Sequence, residues 1–246
     1  MRLKDKVCIV TGSSRGFGAQ IAERLHKDGG IVIVTYLEGD IKEEKNAQIV
    51  GEKVASPLIV PVDVSNRASV KKMIKEIAEK FGRIDVLVNN AGINRTADFD
   101  KQTDEEWDEV LSVDLKGVFI CCQEVLPHIP ENGRIINIGS VSGQYGGPRS
   151  PAYAVAKAGV MSLTHNLARF LGKKNITVNC VSPGTIESPF LDKTMPQNLK
   201  DSIFPDVLLH RLGTIDEVAG VVAFLASSDA SYITAQTIAV NGGLWV

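Results

Sequence analysis

The stretch Val7-Cys8-Ile9-Val10-Thr11-Gly12-Ser13-Ser14-Arg15-Gly16-Phe17-Gly18 passes from a β-branched run into a glycine-rich turn, then into an amphipathic segment reaching residue 28. A strand, turn and helix in that order leave backbone N–H groups and the positive helix end facing outward. Missing side chains there let a pyrophosphate approach. Gly12, Gly16 and Gly18 are spaced G-x-x-x-G-x-G rather than the commoner G-x-G-x-x-G. In isolation such a turn can be a connection and nothing more, so its meaning depends on the chain around it.

Short apolar runs recur at 7–10, 31–35, 58–62, 86–88, 134–138, 177–181 and 237–240. They are nearly continuous in hydrophobicity instead of alternating, which suits strands covered on both faces. Helical patterns fill the gaps at 16–28, 41–54, 67–81, 104–126, 151–171 and 215–225. The expected fold is α/β: a Rossmann-type doubly wound parallel sheet of seven strands with helices on both faces, in one domain over 1–246. No repeat, linker or low-complexity tract interrupts it. The long connection 184–211, carrying Pro189, Pro196 and Pro205, exceeds ordinary loop length and is expected to be a substrate lid. Its apolar members Phe190, Leu191, Met195, Ile203, Phe204, Val207 and Leu208 either line a greasy pocket or pack against the body.

The 246 residues suffice to bury about 70–75% of the unfolded surface without staples. A net charge of −2, a pI of about 6.1 and the lack of a basic stripe argue against nucleic acid and anionic membranes as partners. The opening residues offer no signal-peptide core and no apolar run has membrane-spanning length, so a cytoplasmic protein is expected. Cys8, Cys121, Cys122 and Cys180 lie in apolar segments without metal-ligand or disulfide spacing and read as buried thiols; no metal is expected.

Chemistry enters with Tyr153-Ala154-Val155-Ala156-Lys157. On a helix a spacing of four stacks tyrosine and lysine on one face. A free tyrosine titrates near ~10. A neighbouring ammonium stabilises the phenolate and brings the group toward the range of general acid-base catalysis. Upstream, the run 134–138 ends in Gly139 and Ser140, so a hydroxyl stands at the strand end where open α/β sheets bind ligands. A proton donor beside a dinucleotide cradle reads as a nicotinamide oxidoreductase.

Thr11 to Gly18, Asp63, Asn89-Asn90-Ala91-Gly92, Ser140, Tyr153, Lys157 and Pro183-Gly184 occur in the order of the motifs of short-chain dehydrogenases/reductases, and the whole chain resembles that family. Gly133 to Ile136 and Asn241-Gly242-Gly243 look most like 3-oxoacyl-[acyl-carrier-protein] reductases of fatty-acid biosynthesis and their neighbouring ketone reductases. The resemblance implies that Tyr153 protonates a carbonyl oxygen, that Ser140 hydrogen-bonds the same oxygen, and that Lys157 supports the tyrosine and the nicotinamide ribose. Gly12, Ser14, Arg15, Gly16, Phe17, Gly18, Tyr36, Asp63, Val64, Asn90, Ala91, Gly92, Pro183, Gly184 and Ile186 would join Tyr153 and Lys157 around the cofactor. Asp63 would accept from the adenine, or else cap the next helix.

Asp114 stands where the family usually has an asparagine that helps hold a water in a proton relay ending at the lysine; its carboxylate would place a negative charge near Lys157 and is expected to alter the pH profile, or else to be a tolerated replacement. At the end of the second strand Tyr36 occupies the place of the acid that would select NAD, and Arg15 is a cation suited to a 2′-phosphate, so NADP(H) is favoured. Leu37 and the nearby Glu38 keep NAD(H) as the alternative. The substrate is expected to be a 3-oxoacyl thioester or related ketone; the alternatives are a secondary alcohol such as a sugar, polyol or steroid oxidised by the same groups, and a cofactor-binding regulator without catalysis. Arg169 matches a cation that would meet an acyl-carrier protein, while Glu131 stands where a second cation is expected. The resemblance also implies a homotetramer; Ala152, Ala154, Ala156, Ala158 and Gly159 would allow close helix approach, or equally tight packing within one subunit, and Trp245 a further contact.

Overall fold

A computed structural model of the chain describes residues 1–188 and 204–246. Its strands β1 (Val7–Val10), β2 (Ile31–Tyr36), β3 (Ile59–Pro61), β4 (Val86–Asn89), β5 (Arg134–Ile138), β6 (Thr177–Pro183) and β7 (Thr237–Val240) form a seven-stranded sheet in the order β3-β2-β1-β4-β5-β6-β7. Every neighbouring pair is parallel. The winding reverses between β1 and β4, which leaves a crevice at their C-terminal ends.

Among the described residues the α-helices are α1 (Gly16–Lys27), α2 (Ile41–Lys53), α3 (Arg67–Phe81), α4 (Asp104–Leu111), α5 (Gly117–Val125), α6 (Ser142–Tyr145), α7 (Pro151–Leu171) and α8 (Ile215–Ala226). Alternate residues of one strand feed opposite sides of the sheet. In β1, Val7 and Ile9 join the cluster of α3, α5 and α7, while Cys8 and Val10 join that of α1, α2 and α8. Strands apolar on both sides follow directly. Asp40, Asn66, Thr103 and Thr214 cap α2, α3, α4 and α8 with side-chain oxygens, the last two as full capping boxes.

The helix expected over 104–126 runs from Asp104 to Val125, with its hydrogen-bond register broken once. A π-helical turn, Ser112–Lys116, separates α4 from α5. Leu111, Ser112 and Gly117 all keep right-handed helical dihedrals, so no proline or left-handed glycine marks the break in sequence. Asp114 lies buried within that turn. The capping role weighed for Asp63 is also excluded, because Asn66 caps α3; Asp63 Oδ1 instead accepts from Ser65 N at 2.9 Å and Ser65 Oγ at 2.7 Å.

Candidate active site

β1 hands the chain to α1 through a turn held from beneath. Thr35 Oγ1 accepts from Gly12 N at 3.0 Å, and Ser13 Oγ accepts from Thr35 N at 2.8 Å. Thr11 Oγ1 accepts from Asn90 N and Ala91 N at 2.9 and 3.0 Å, and Asn90 Nδ2 donates to the Thr11 and Gly12 carbonyls at 2.9 and 3.1 Å. The ends of β1, β2 and β4 are thus locked into one surface.

Gly12 adopts a left-handed φ of 64°, and Gly16 one of 57° with no atom within 4 Å of the place a Cβ would take. A Cβ on Gly18 would lie 2.3 Å from the Gly12 carbonyl oxygen and 2.6 Å from Asn90 Nδ2. Arg15 precedes α1 without a side-chain cap, and no acid occupies the first helical turn. Open space over Gly16, close packing under Gly18 and an uncapped helix end suit a dinucleotide pyrophosphate. Gly18→Ala is expected to weaken dinucleotide binding at least about tenfold, since the overpacking that costs about 1–3 kcal/mol elsewhere falls on the cradle itself. Titration by nicotinamide fluorescence checks this, and unchanged affinity would refute the cradle.

Arg15, the cation expected to meet a phosphate, has a partner within the chain: its Nε lies 2.8 Å from Glu43 Oε1, and the other Glu43 oxygen accepts from Ser14 Oγ. Tyr36 ends β2 as expected, where burial and then Glu44 and Glu38 push its phenol above the ordinary value. Phe17 turns its ring into the cluster beside α1 and α8. Val64 packs against Gly117, whose Cβ would meet Val64 Cγ2 at 2.9 Å.

The second half of the site gathers at β4, β5 and α7. Lys157 is 4% exposed, and its Nζ donates to the Ile138 carbonyl at 3.1 Å. It lies 3.1 Å from Asp114 Oδ2 and 5.3 Å from the centre of the Tyr153 ring. The Asp114 carboxylate is wholly buried; Oδ1 accepts from Ile93 N at 2.7 Å, while Oδ2 takes no aligned hydrogen bond and holds Lys157 by charge. Burial works against the lysine's charge, but Asp114, then Tyr153, outweigh it and raise its pKa above the ordinary value. Gly92 makes room for this carboxylate, since a Cβ there would sit 2.7 Å from Asp114 Oδ2.

Ser140 follows β5 by two residues, and its Oγ accepts from Ser142 N at 3.2 Å, leaving the O–H to donate elsewhere. Gly143 lets α6 lie on α7, where a Cβ would come within 2.7 Å of backbone at Lys157 and Ala158. Pro183 closes β6, and its carbonyl accepts from Val141 N at 2.9 Å, tying it to the Ser140 turn. Gly184 touches Asn241 and leads to Ile186, which bridges to Gly213. Glu187 N donates to the Gly213 carbonyl at 2.8 Å, so the two ends of the long connection meet.

Of the apolar residues in that connection, Val207 is buried and Leu208 exposed; Phe190, Leu191, Met195, Ile203 and the side chain of Phe204 lie outside the described residues. Among the small residues of α7, Ala152, Ala154 and Ala156 are buried within the chain itself, and a Cβ on Gly159 would meet Leu115. Trp245 packs against Tyr145 with ring centres 5.6 Å apart. Burial pushes all four thiols up, Cys180 to about 11 despite Lys157 nearby, which leaves them poor nucleophiles. Among the described residues no metal-ligating cluster is present and no helix is long and apolar enough to cross a membrane.

The sequence reading missed the supporting pair Ser13 and Thr35, the Ile138 carbonyl, and Glu43. Hydroxyls inside a turn motif and a backbone oxygen carry no signature of their own, and Glu43 reads as an ordinary acid in a helix first turn.

A family profile described as enoyl-(acyl carrier protein) reductase matches residues 12–245. The chain is 41% identical to the 3-oxoacyl-[acyl-carrier-protein] reductase FabG of Thermotoga maritima, covering 99% of both sequences. This chain belongs to the short-chain dehydrogenase/reductase family. It is also 39% identical to the (2S)-[(R)-hydroxy(phenyl)methyl]succinyl-CoA dehydrogenase subunit BbsD of Thauera aromatica, over 99% of this chain and 98% of that one. Among solved structures, a blue fluorescent protein from a metagenomic library in complex with NADPH superposes with a TM-score of 0.93 at 31% identity and complete mutual coverage. A short-chain dehydrogenase/reductase from Brucella melitensis described as glucose/ribitol dehydrogenase gives 0.93 at 32% identity, covering 100% of this chain and 98% of that one. The chain is therefore an oxidoreductase of this family that binds NAD(P).

Proposed function

We propose that this short-chain dehydrogenase/reductase reduces the ketone of a 3-oxoacyl thioester, with Tyr153 as proton donor. The observation that carries the reading is the stack of Tyr153, Lys157 and Asp114, fixed to the Ile138 carbonyl beside the Gly12–Gly18 cradle. The nicotinamide, when bound, supplies the hydride. As charge develops on the carbonyl oxygen, the Ser140 hydroxyl donates to it and Tyr153 Oη gives up its proton there. Lys157 stabilises the phenolate left behind, and Asp114 keeps that lysine charged. Gly12, Ser14, Arg15, Gly16, Phe17 and Gly18 hold the pyrophosphate and adenosine, Asp63 and Val64 flank the adenine, and Asn90, Ala91, Gly92, Pro183, Gly184 and Ile186 line the nicotinamide side. Residues 184–211 act as the substrate lid of a single catalytic unit.

NADPH is the proposed reductant, supported by Tyr36 in place of an acid at the end of β2 and by the NADPH-bound relative. Arg169, exposed at the last turn of α7, is proposed to meet an acyl-carrier protein in a cytoplasmic homotetramer. Glu131 is engaged by Asn175 Nδ2 at 2.9 Å. Oxidation of a β-hydroxyacyl thioester is the second reading, favoured by the likeness to the succinyl-CoA dehydrogenase subunit.

The test follows the reduced-nicotinamide absorbance with NADPH and NADH, offering an acetoacetyl thioester beside simple ketones. Oxidation of NADPH by the thioester at a kcat/KM at least about tenfold above that for the ketones is expected. Turnover only of alcohols with the oxidised cofactor would overturn it in favour of the dehydrogenase.

A further inference from the structure

Glu43 is an acid that the helix it belongs to does not use. At the third position of α2 a glutamate commonly reaches back to the capping residue's N–H. Here Asp40 caps the helix, accepting from Lys42 N at 2.9 Å and Glu43 N at 3.0 Å, and the Asp40 N–H is satisfied by the Leu37 carbonyl at 3.2 Å. The Glu43 side chain instead crosses to the glycine turn and is buried there, one oxygen on Ser14 Oγ and the other 2.8 Å from Arg15 Nε. An exposed ion pair contributes little to stability, and Arg15 is mostly exposed. A buried carboxylate that takes up both the hydroxyl and the cation of a nucleotide-binding turn has a clearer consequence for the ligand.

The turn and the end of β2 are where a dinucleotide fold holds the adenosine ribose, whose 2′ substituent separates NADPH from NADH. A 2′-hydroxyl can donate to a carboxylate; a 2′-phosphate is repelled by it and competes for the same arginine. The surrounding charge has the same sign, for Glu38 and Glu44 both act on Tyr36 at this edge, and Glu38 accepts from Ser69 Oγ at 2.8 Å.

We infer that Glu43 is a specificity-determining residue for the cofactor: by holding Arg15 and Ser14 it opposes a 2′-phosphate, and so narrows the preference for NADPH that Tyr36 and Arg15 alone would give. The inference rests on the dinucleotide reading of the cradle but is independent of the substrate. It assigns cofactor discrimination to the first turn of α2 as well as to the end of β2.

Equilibrium titration of wild type, Glu43→Gln and Glu43→Ala with NADPH and with NADH, followed by nicotinamide fluorescence at fixed ionic strength, tests it. Gln keeps an acceptor for Ser14 and removes the charge; Ala releases both partners. In each variant the ratio of the NADH to the NADPH dissociation constant is expected to rise by about tenfold or more, because Arg15 becomes free for a charge-assisted bond. Equal changes for the two nucleotides, or none, would show Glu43 to be structural and overturn the inference while leaving the cradle intact. Failure of wild type to bind either nucleotide would overturn the cradle and the inference with it.

Discussion

Tyr153→Phe is expected to lower kcat for ketone reduction by about a thousandfold, within the range that positioned proton donors supply. The ring stays, so its packing with Val110, Ala152 and Ala156 and its place over the Lys157 ammonium are kept. Only the O–H is lost. Dinucleotide affinity and melting temperature should therefore hold near wild type, which separates loss of the proton from loss of the site. The measurement is steady-state reduction of an acetoacetyl thioester alongside a fluorescence titration of cofactor. A rate within tenfold of wild type would mean that another group, Ser140 first among them, delivers the proton.

The second large effect belongs to Asp114, and it appears in stability as well as in rate. Asp114→Leu leaves the Lys157 ammonium buried with the Ile138 carbonyl but without its counter-charge. Stranding one member of a buried pair costs about 3–5 kcal/mol, a large share of a typical domain's stability. Asp114→Asn keeps the shape and the acceptor for Ile93 N, and isolates the charge.

The sign of its pH dependence follows from Lys157. In the wild type the folded pKa of Lys157 is raised, so its contribution to stability is fully present below the unfolded lysine value and lost only as pH climbs through the folded one. With Asp114 neutralised, burial, the largest influence on the lysine, is expected to outweigh what Tyr153 and Cys180 still contribute and to carry the folded pKa below the unfolded value. The unfolded chain then binds more protons between the two, and stability rises with pH across that interval. Melting temperature measured from neutral to alkaline pH should rise for Asp114→Asn where wild type stays level or falls. The alkaline limb of kcat should also begin at lower pH in the variant. Superimposable profiles would show that Asp114 does not control the lysine.

Much of this was legible in the chain. Continuous β-branched runs separated by helical periods specify a parallel sheet with both faces covered, because each strand must supply side chains to two cores, as Cys8 and Val10 on one side and Ile9 on the other do in β1. The spacing of Tyr153 and Lys157 places them on one helix face whatever the rest of the fold does. Gly12, Gly16 and Gly18 likewise announce a turn that approaches a ligand through its backbone.

What was not legible depends on partners distant in sequence or on backbone geometry that leaves no residue signature. The π turn at Ser112–Lys116 needs neither proline nor left-handed glycine, yet it holds Asp114, the partner of Lys157. Glu43 and Arg15 are separated by the whole of α1 and β2, and only the capped start of α2 brings them together. Local pattern fixes what each segment is, since periodicity and turn chemistry act over a few residues. The engagement of Arg15 comes from a group that meets it only once the sheet is wound, so the tertiary structure alone decided it; a charge near Lys157 was readable from Asp114, and the structure added the 3.1 Å pair that raises the lysine's pKa.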